Sequence, residues 1–230
     1  MPVAPECSKI VVRLKSLSRP ENLKGMARFG IDTSKALAIS IPTLRKMAKL
    51  YKKKHLLALT LWKTGIHEAR ILATMIDDPV SVTEKQMESW VRDFYSWDVC
   101  DQCCSNLFDK TSFARKKAFE WSKRKEEYIK RAGFTLMATL SVHDKKAPDK
   151  VYIDFFKPIK REAGDSRNYV KKAVNWALRQ IGKRNPSLKK HAIRTAEEIS
   201  KMNTPSARWI ASDALREFKN HKFRKRSKSK

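Results

Sequence analysis

The sequence predicts an all-α protein, a solenoid of short helices stacked in pairs. Apolar residues recur with helical spacing along nearly the whole chain, and no segment shows convincing strand-like alternation. Glycine is scarce, with 6 in 230 residues, and the prolines stand mostly where helices would begin. Together these observations predict about twelve short helices joined by short turns.

Polar residues mark several of the predicted helix starts. Ser40, Asn185 and Thr204 are each followed within two residues by a proline, which is typical of an N-cap with proline in the first helical turn. Thr83 and Gln86 have the spacing of a capping box, in which each side chain bonds the other residue's backbone N–H.

The predicted helices are repetitive. An alanine followed four residues later by an apolar residue recurs at Ala132, Ala173 and Ala211, at intervals of 41 and 38 residues and always beside basic or aromatic residues. This period is close to that of HEAT and armadillo arrays, and alanine at a fixed register lets paired helices approach closely. We therefore expect a curved α-solenoid of HEAT-like repeats with a concave surface. Residues 1–218 would form one domain, and 219–230 a basic tail.

Charge narrows the possible partners. Lys and Arg total 51 against 24 Asp and Glu, giving a formal net charge of +27. This excess favours a nucleic-acid partner first, an anionic membrane surface second and an acidic protein third. No apolar run is long enough to span a membrane. Because the N-terminus lacks the pattern of a signal peptide, we expect a cytoplasmic protein, and we expect it to act as a monomer.

The basic tail, 219–230, contains no acidic residue. The sequence predicts that it is disordered and either adds non-specific phosphate affinity or is simply a solvated end.

Three of the four cysteines crowd one predicted helical turn. Zinc usually takes four ligands as two separated pairs, whereas Cys100, Cys103 and Cys104 are adjacent, with no histidine nearby in sequence. We expect no metal site, and interpret these thiols as small core residues. Partial exposure of Cys100 and Cys104 at a site remains an alternative at this stage.

Two tryptophans stand among charged residues. Trp97 and Asp101 are four residues apart on a predicted helix and so share one face. Trp176 lies in a basic helix with Lys171, Lys172 and Arg179. Such tryptophans are either buried core residues or exposed stacking surfaces for bases and sugars. By contrast, Trp62, Trp90 and Trp121 occur on apolar faces and are predicted to be core residues.

Arg131 stands before Ala132 and Gly133 in a predicted helix. Glycine there costs about 1 kcal/mol relative to alanine, which suggests a close approach of another backbone. The Arg131 side chain could clamp a phosphate, because its fork matches two phosphate oxygens, or it could pair with a helix acid such as Glu127.

A collinear set of motifs carries a resemblance over roughly residues 20–215. The motifs are Met26-Ala27-Arg28-Phe29, Ile41-Pro42-x-x-Arg45, Leu61-Trp62 with Glu68-Ala69-Arg70, Ser96-Trp97-Asp98-x-x-Asp101, Lys130-Arg131-Ala132, and Lys172-Ala173-x-x-Trp176-x-Leu178-Arg179 followed by Asn185-Pro186. With them the chain resembles the AlkD-like DNA glycosylases, HEAT-like repeat enzymes of alkylated-DNA repair.

The resemblance implies an active site and a substrate. It implies that Trp97, Asp101, Arg131 and Trp176 form the active site and that Phe29 lines the DNA cleft, without the hydroxyl of relatives that have tyrosine there. The implied reaction is excision of N3- or N7-alkylated purines from duplex DNA without a cofactor. It also implies that capture of the deoxyribose and the DNA backbone can suffice, without a base pocket.

The residues suggest how such a site would work. Asp101 would stabilise the positive charge that develops on the sugar, the two tryptophans would offer π faces to the cationic nucleotide, and Arg131 would grip the flanking phosphate. Lys171, Lys172 and Arg179 would hold the DNA backbone.

Two other classes of function compete with catalysis. One is a non-catalytic, sequence-independent nucleic-acid-binding scaffold, and the other is a protein-interaction adaptor. Asp101 argues against a pure binder of nucleic acid, because a carboxylate repels phosphate. The large positive charge argues against the adaptor, unless its partner is acidic.

Overall fold

The structure, a computed structural model, describes residues 3–223, and within them it is all-helical with no strand, as predicted. The first seven α-helices are α1 (Val3–Ser16), α2 (Leu23–Arg28), α3 (Ile41–Ala48), α4 (His55–Lys63), α5 (His67–Ile76), α6 (Glu84–Arg92) and α7 (Trp97–Asn106). The other six are α8 (Ala114–Trp121), α9 (Glu127–His143), α10 (Asp149–Glu162), α11 (Asn168–Gly182), α12 (Pro186–Ser200) and α13 (Pro205–Asn220). Short 3-10 helices occur at Pro20–Asn22 and Phe108–Lys110.

Contacts divide the chain into two compact units, residues 1–114 and 115–230. The single domain over 1–218 therefore stays a prediction. Of the predicted basic tail, 219–230, the first two residues end α13, and residues 224–230 lie outside the described part of the chain.

Helix α5 is the centre of the first unit. It packs against α1, α3, α4 and α7, and every residue of it except Met75 is buried. A helix buried all round normally carries only apolar residues, yet α5 includes His67, Glu68 and Arg70. Those side chains must therefore find partners inside the protein.

The second unit has two helix layers. Helices α9, α11 and α13 pack side by side as its first layer, while α10 and α12 contact each other and the first layer. Ala132, Ala173 and Ala211 lie near corresponding positions of the three first-layer helices and are fully buried or nearly so. This burial agrees with their predicted role as close-packing positions, which stays a prediction.

The predicted helix starts are confirmed, with one correction. The side chains of Ser40, Asn185 and Thr204 each accept a hydrogen bond from the backbone N–H three residues later. The Thr83 hydroxyl caps α6 in the same way, with 3.1 Å to the Gln86 nitrogen. The capping box itself is wrong, because the Gln86 amide nitrogen instead donates to the buried Asp77 carboxylate at 2.7 Å, and the Gln86 Oε1 has no hydrogen-bond partner.

Gly133 on α9 is required by a close approach to the end of α8. A Cβ there would lie 2.5 Å from the Ser122 nitrogen and 2.9 Å from the Trp121 carbonyl carbon, both backbone atoms. We expect Gly133→Ala to lower the free energy of unfolding, because overpacking costs about 1–3 kcal/mol against about 1 kcal/mol gained in helix propensity. Urea unfolding would measure the difference.

The matched control is Gly25→Ala, in α2, where a Cβ would meet nothing within 4 Å. It should leave the stability unchanged or raise it by up to about 1 kcal/mol. Equal effects of the two substitutions would contradict the close approach at Gly133.

Candidate active site

Helix α7 presents Trp97 and Asp101 one turn apart on a partly exposed face, as predicted. Ser96, in extended conformation, precedes the helix. The Trp97 indole N–H donates to the Phe29 carbonyl at 3.1 Å, which ties the first turn of α7 to the turn that follows α2. The first unit therefore holds Trp97 in a defined orientation, with its indole against the Phe29 backbone carbonyl.

A buried hydrogen-bonded group anchors the start of α7. The His67 imidazole, 1% exposed, places Nε2 2.8 Å from the Asp98 carboxylate and Nδ1 3.0 Å from the Tyr95 hydroxyl. The Ser96 hydroxyl donates to the other Asp98 oxygen at 2.6 Å. Since His67 is on the central helix α5, these bonds fix both the position and the rotation of α7.

Asp98 is held in its ionised form. Burial by itself would raise the pKa of the Asp98 carboxyl, but the hydrogen bonds from His67 and Ser96, with the charge of His67, lower it further than burial raises it. The pKa of Asp98 therefore lies below its ordinary value. The N-terminal turn of a helix is also where an acidic side chain is favourable.

Glu68, the neighbour of His67, organises a different segment. Its carboxylate, almost completely buried, accepts hydrogen bonds from the backbone nitrogens of Leu37 at 2.8 Å and Ile39 at 3.2 Å. Between them, Ala38 has a positive φ of 58°, a strained conformation for a residue other than glycine. The Glu68 carboxylate thus fixes the strained segment that leads into α3.

Phe29, in the turn after α2, is 77% exposed. Gly30 follows with a φ of 73°, a left-handed conformation that lets the chain reverse immediately after Phe29. This exposed aromatic ring, on the residue whose carbonyl binds the Trp97 indole, is available to stack on another planar group.

Arg131, in the second unit, is 5% exposed, and its Nη1 donates to the Tyr169 carbonyl at 2.6 Å. The rings of Tyr128 and Tyr169 stack with centroids 5.7 Å apart beside this bond. The sequence suggested a phosphate or a helix acid as the partner of Arg131. The contact to the Tyr169 carbonyl joins α9 to the first turn of α11, the helix that carries Trp176, and the two partners suggested by the sequence stay predictions.

The other predicted residues of α11 differ in their surroundings. Trp176 is partly exposed and Lys172 is exposed. The Lys171 Nζ lies 4.9 Å from the ring centroid of Trp209, a cation–π contact. Arg179 is 2.5 Å from Glu217 and 3.4 Å from Asp213, so two carboxylates offset its charge. Lys172 is therefore better placed than Arg179 to meet a phosphate.

The predicted core tryptophans are confirmed, since Trp62, Trp90 and Trp121 are each at most 3% exposed. The cysteines Cys7, Cys100, Cys103 and Cys104 are all free and buried.

The core interpretation of the thiols agrees with this burial, and the alternative of partial exposure at a site is wrong. Burial, with neighbouring groups, raises the pKa of Cys103 and of Cys104 well above the usual value. Both are therefore neutral thiols rather than reactive thiolates.

Two further classes of site are not found within residues 3–223. No group of three or more His, Cys, Asp or Glu side chains there could hold a metal ion. No helix in the same range is long and apolar enough to cross a membrane.

The predicted site residues fall into two sets. The first unit contains Phe29, Trp97 and Asp101, and the second contains Arg131, Lys171, Lys172, Trp176 and Arg179. That both sets act on one nucleotide stays a prediction. The sequence analysis did not identify His67, Tyr95 and Asp98 as residues of the site. For Asp98 a signal existed, because it is an acidic residue in the first turn of a predicted helix.

Comparison with known proteins identifies both family and fold. The sequence profile of a family described as DNA alkylation repair enzyme matches residues 10–218. A similar solved structure belongs to "a new family of proteins related to the HEAT-like repeat DNA glycosylases with affinity for branched DNA structures". The TM-score is 0.75 at 19% sequence identity, over 91% of this chain and 94% of that one. No curated protein sequence matches significantly. The predicted fold class of HEAT-like helical repeats is confirmed.

Replacing Asp98 should show how strongly its carboxylate anchors α7. We expect Asp98→Asn to lower the free energy of unfolding at neutral pH by about 1.5–3 kcal/mol, the usual range for hydrogen bonds to a charged group. Because the folded-state pKa is lowered, this stabilisation is complete above the unfolded-state value of about 3.9 and is lost as pH falls through the folded value. The two proteins should therefore converge in acid.

Urea unfolding from neutral pH down through the range of carboxyl titration would test this. Asp154→Asn, at an exposed position of α10, is the matched control and should follow the wild type. A constant gap between Asp98→Asn and the wild type at every pH would contradict the ionised anchor.

Proposed function

The chain belongs to the DNA alkylation repair enzyme family, and on that premise we propose that it is a DNA glycosylase that excises cationic N3- or N7-alkylated purines from duplex DNA. The observation that carries the proposal is Asp101. This carboxylate stands one helical turn from Trp97 on the partly exposed face of α7, in a chain whose net charge is +27.

Affinity for duplex DNA follows from the charge. Lysines and arginines outnumber acidic residues by more than two to one, and phosphate neutralisation with release of counterions gives most of the free energy of non-specific binding. The sequence shows no recognisable base-reading motif, and residues 3–223 contain no side-chain group that could hold the metal of a zinc module. Binding should therefore be strong at low salt and nearly independent of sequence.

The chemistry of the substrate explains a carboxylate in such a protein. Alkylation at N3 or N7 gives the purine a positive charge, which weakens its glycosidic bond, so the leaving base needs no acid. As the bond breaks, positive charge develops on the deoxyribose, as in the oxocarbenium-like transition state of glycoside hydrolysis. Asp101 would stabilise that charge and orient the attacking water.

The aromatic residues would position the damaged nucleotide. Trp97, fixed through the Phe29 carbonyl, offers a π face worth about 0.5–2 kcal/mol to a cationic base or sugar. The exposed Phe29 ring would line the DNA contact beside it. By family resemblance, Trp176 would supply a second π face, with Lys172 and, to a smaller extent, Lys171 and Arg179 on the DNA backbone.

For Arg131 the structure supports a modified role. Its Nη1 bond to the Tyr169 carbonyl makes it a positioning residue for α11, in addition to the phosphate contact that the resemblance implies. Loss of Arg131 should consequently weaken both DNA binding and excision.

The second candidate function is a non-catalytic DNA-binding scaffold. One specific observation favours it: a solved structure with the same fold is described by its affinity for branched DNA structures. Under this alternative the basic residues and the exposed aromatic residues would serve DNA binding alone, and Asp101 would not affect the rate of any base excision.

Asp101→Asn separates the two candidates. We expect DNA affinity to be retained or improved, because a charge that repels phosphate is removed. Release of 7-methylguanine in single-turnover assays should fall by at least about 100-fold, since the carboxylate acts mainly on charge present in the transition state. Arg131→Ala should instead reduce both binding and rate.

Asp154→Asn is the matched control, because it removes the same charge from an exposed position of α10, and it should excise at the wild-type rate. Normal excision by Asp101→Asn would rule out the mechanism. A wild-type protein that releases no base from any alkylated DNA would favour the scaffold.

DNA binding should depend steeply on salt, with a slope of log K against log salt of about −0.9 for each neutralised phosphate. Lys172→Gln should make this slope shallower by about one unit, as expected when one phosphate contact is lost. Lys157→Gln, at an exposed position of the second-layer helix α10, is the matched control. A flat salt response of the wild type would contradict the nucleic-acid function.

A further inference from the structure

Trp209, on α13 of the second unit, is 40% exposed. Among the large apolar side chains that are exposed within residues 3–223, Phe29 is the other aromatic one. The family resemblance assigns Phe29 to the DNA cleft but assigns nothing to Trp209. An exposed indole is typical of a surface that binds a ligand when cations surround it.

Cations surround the Trp209 ring. The Lys171 Nζ lies over it at 4.9 Å from the centroid, and the exposed Lys172 follows on α11. In the part of the chain that the structure describes, neither lysine forms an ion pair. The exposed Arg208 donates to the Asn203 Oδ1 at 3.3 Å, and this neutral partner leaves its charge uncompensated. Trp209 and these three cations are named the Trp209 site.

The acidic residue closest to Trp209 along α13 is already paired. Asp213, one helical turn later, accepts a hydrogen bond from the Asn175 Nδ2 at 2.7 Å. Its Oδ2 also lies 3.4 Å from the Arg179 Nη1, and its Oδ1 pairs with Arg216. The charge of Asp213 is therefore offset, and the surface at the Trp209 site stays positive.

A planar ring beside cations recognises a group that combines a planar face with negative charge. A nucleotide joins its base to a phosphate through a single sugar, whereas a lipid headgroup or an acidic peptide supplies the charge without a ring at each repeat. In an intact duplex both faces of a base are stacked on neighbouring bases. In a single strand a face is free to stack on an aromatic side chain.

We propose that the Trp209 site binds single-stranded DNA, with the indole stacked on an unpaired base and the cations on the flanking phosphates. Because Lys171 is on α11 and Trp209 on α13, the site spans two neighbouring helices of the first layer. Every base has a π face, so the site does not distinguish one base from another. The chain's family supplies DNA as the polymer, and the site does not depend on base excision.

Binding of the full-length protein to a labelled oligothymidylate of about ten nucleotides, which cannot pair with itself, tests the site by fluorescence anisotropy. Trp209→Ala should weaken binding by about tenfold, since stacking on one base is lost. Trp209→Phe should keep most of the affinity, because the phenyl ring still offers a π face. Leu50→Ala, at a residue in the first unit that is 75% exposed, is the control and should bind as the wild type does.

Salt dependence separates stacking from charge. The deficit of Trp209→Ala should be the same factor at every salt concentration, because stacking releases no counterions. Lys171→Gln should instead make the slope of log K against log salt shallower by about 0.7 unit, the value for one phosphate of a single strand. Lys157→Gln, at an exposed position of α10, should leave this slope unchanged.

The ratio of oligothymidylate affinity to blunt-duplex affinity should fall by about tenfold in Trp209→Ala, since only the single strand presents free base faces. Thermal unfolding would confirm that each variant folds. No oligothymidylate binding by the wild type, wild-type affinity of Trp209→Ala, or equal losses on single strand and duplex would overturn the proposal. A loss in Trp209→Phe as large as that in Trp209→Ala would also overturn it, because stacking would not explain the contact.

Single-turnover release of 7-methylguanine by the wild type keeps this proposal distinct from the glycosylase. Base release together with normal oligothymidylate binding by Trp209→Ala would reject the Trp209 site and keep the glycosylase. Oligothymidylate binding that depends on Trp209, without any base release by the wild type, would keep the site and reject the glycosylase.

Discussion

The close approach of neighbouring helices in the first layer of the second unit is the constraint on which its candidate site residues depend. Alanines and glycines occupy the contact positions, and a Cβ at Gly182 would lie only 2.5 Å from two ring atoms of Phe218. A larger residue would push α13 away from α11. The contact of Lys171 with the Trp209 ring likewise reaches from α11 to α13 and depends on this packing.

Polar contacts then fix the register that close packing allows. Four of them join residues that are 38 positions apart in sequence, about one repeat: Arg131 to Tyr169, Lys160 to Glu198, Asn175 to Asp213 and Arg179 to Glu217. Exposed ion pairs contribute only about 0–1 kcal/mol each, so the apolar core supplies most of the stability. The recurring separation instead specifies which turn of one helix meets which turn of the next.

The sequence predicts local structure well in this protein and long-range partners poorly. Proline and N-cap residues at Asn185 and Thr204 define helix starts because capping acts within three residues. The hydrogen bond between His67 and Asp98 was not predicted, since 31 residues separate the two and no sequence pattern links them. Gln86 shows the converse, because a tertiary acceptor, Asp77, replaced the local partner that its spacing predicted.

The same limit applies to the predicted site residues. The sequence predicts that Trp97, Trp176 and Lys172 are at least partly exposed, because charged residues lie near them at helical spacing. The partners of Arg131 and Arg179 cannot be predicted in this way. One is a carbonyl on the next helix and the other a pair of carboxylates about one repeat away, and only the folded structure brings them close. Sequence therefore indicates which residues are candidates, and the structure decides which of their charges are already compensated.

Under the proposed function, recognition of a cationic lesion requires charges opposite to those that bind the DNA backbone. A net charge of +27 attracts every phosphate equally, so it gives affinity without distinguishing a damaged nucleotide from a normal one. A carboxylate does the reverse: it weakens attraction to the DNA backbone and favours whichever base or sugar is positive. Asp101, on the partly exposed face of α7, is the carboxylate to which the proposed function assigns this task. Because the hydrogen bond between His67 and Asp98 anchors the start of α7, the Asp101 carboxylate would be in place before the substrate arrives, and little reorganisation would oppose its use.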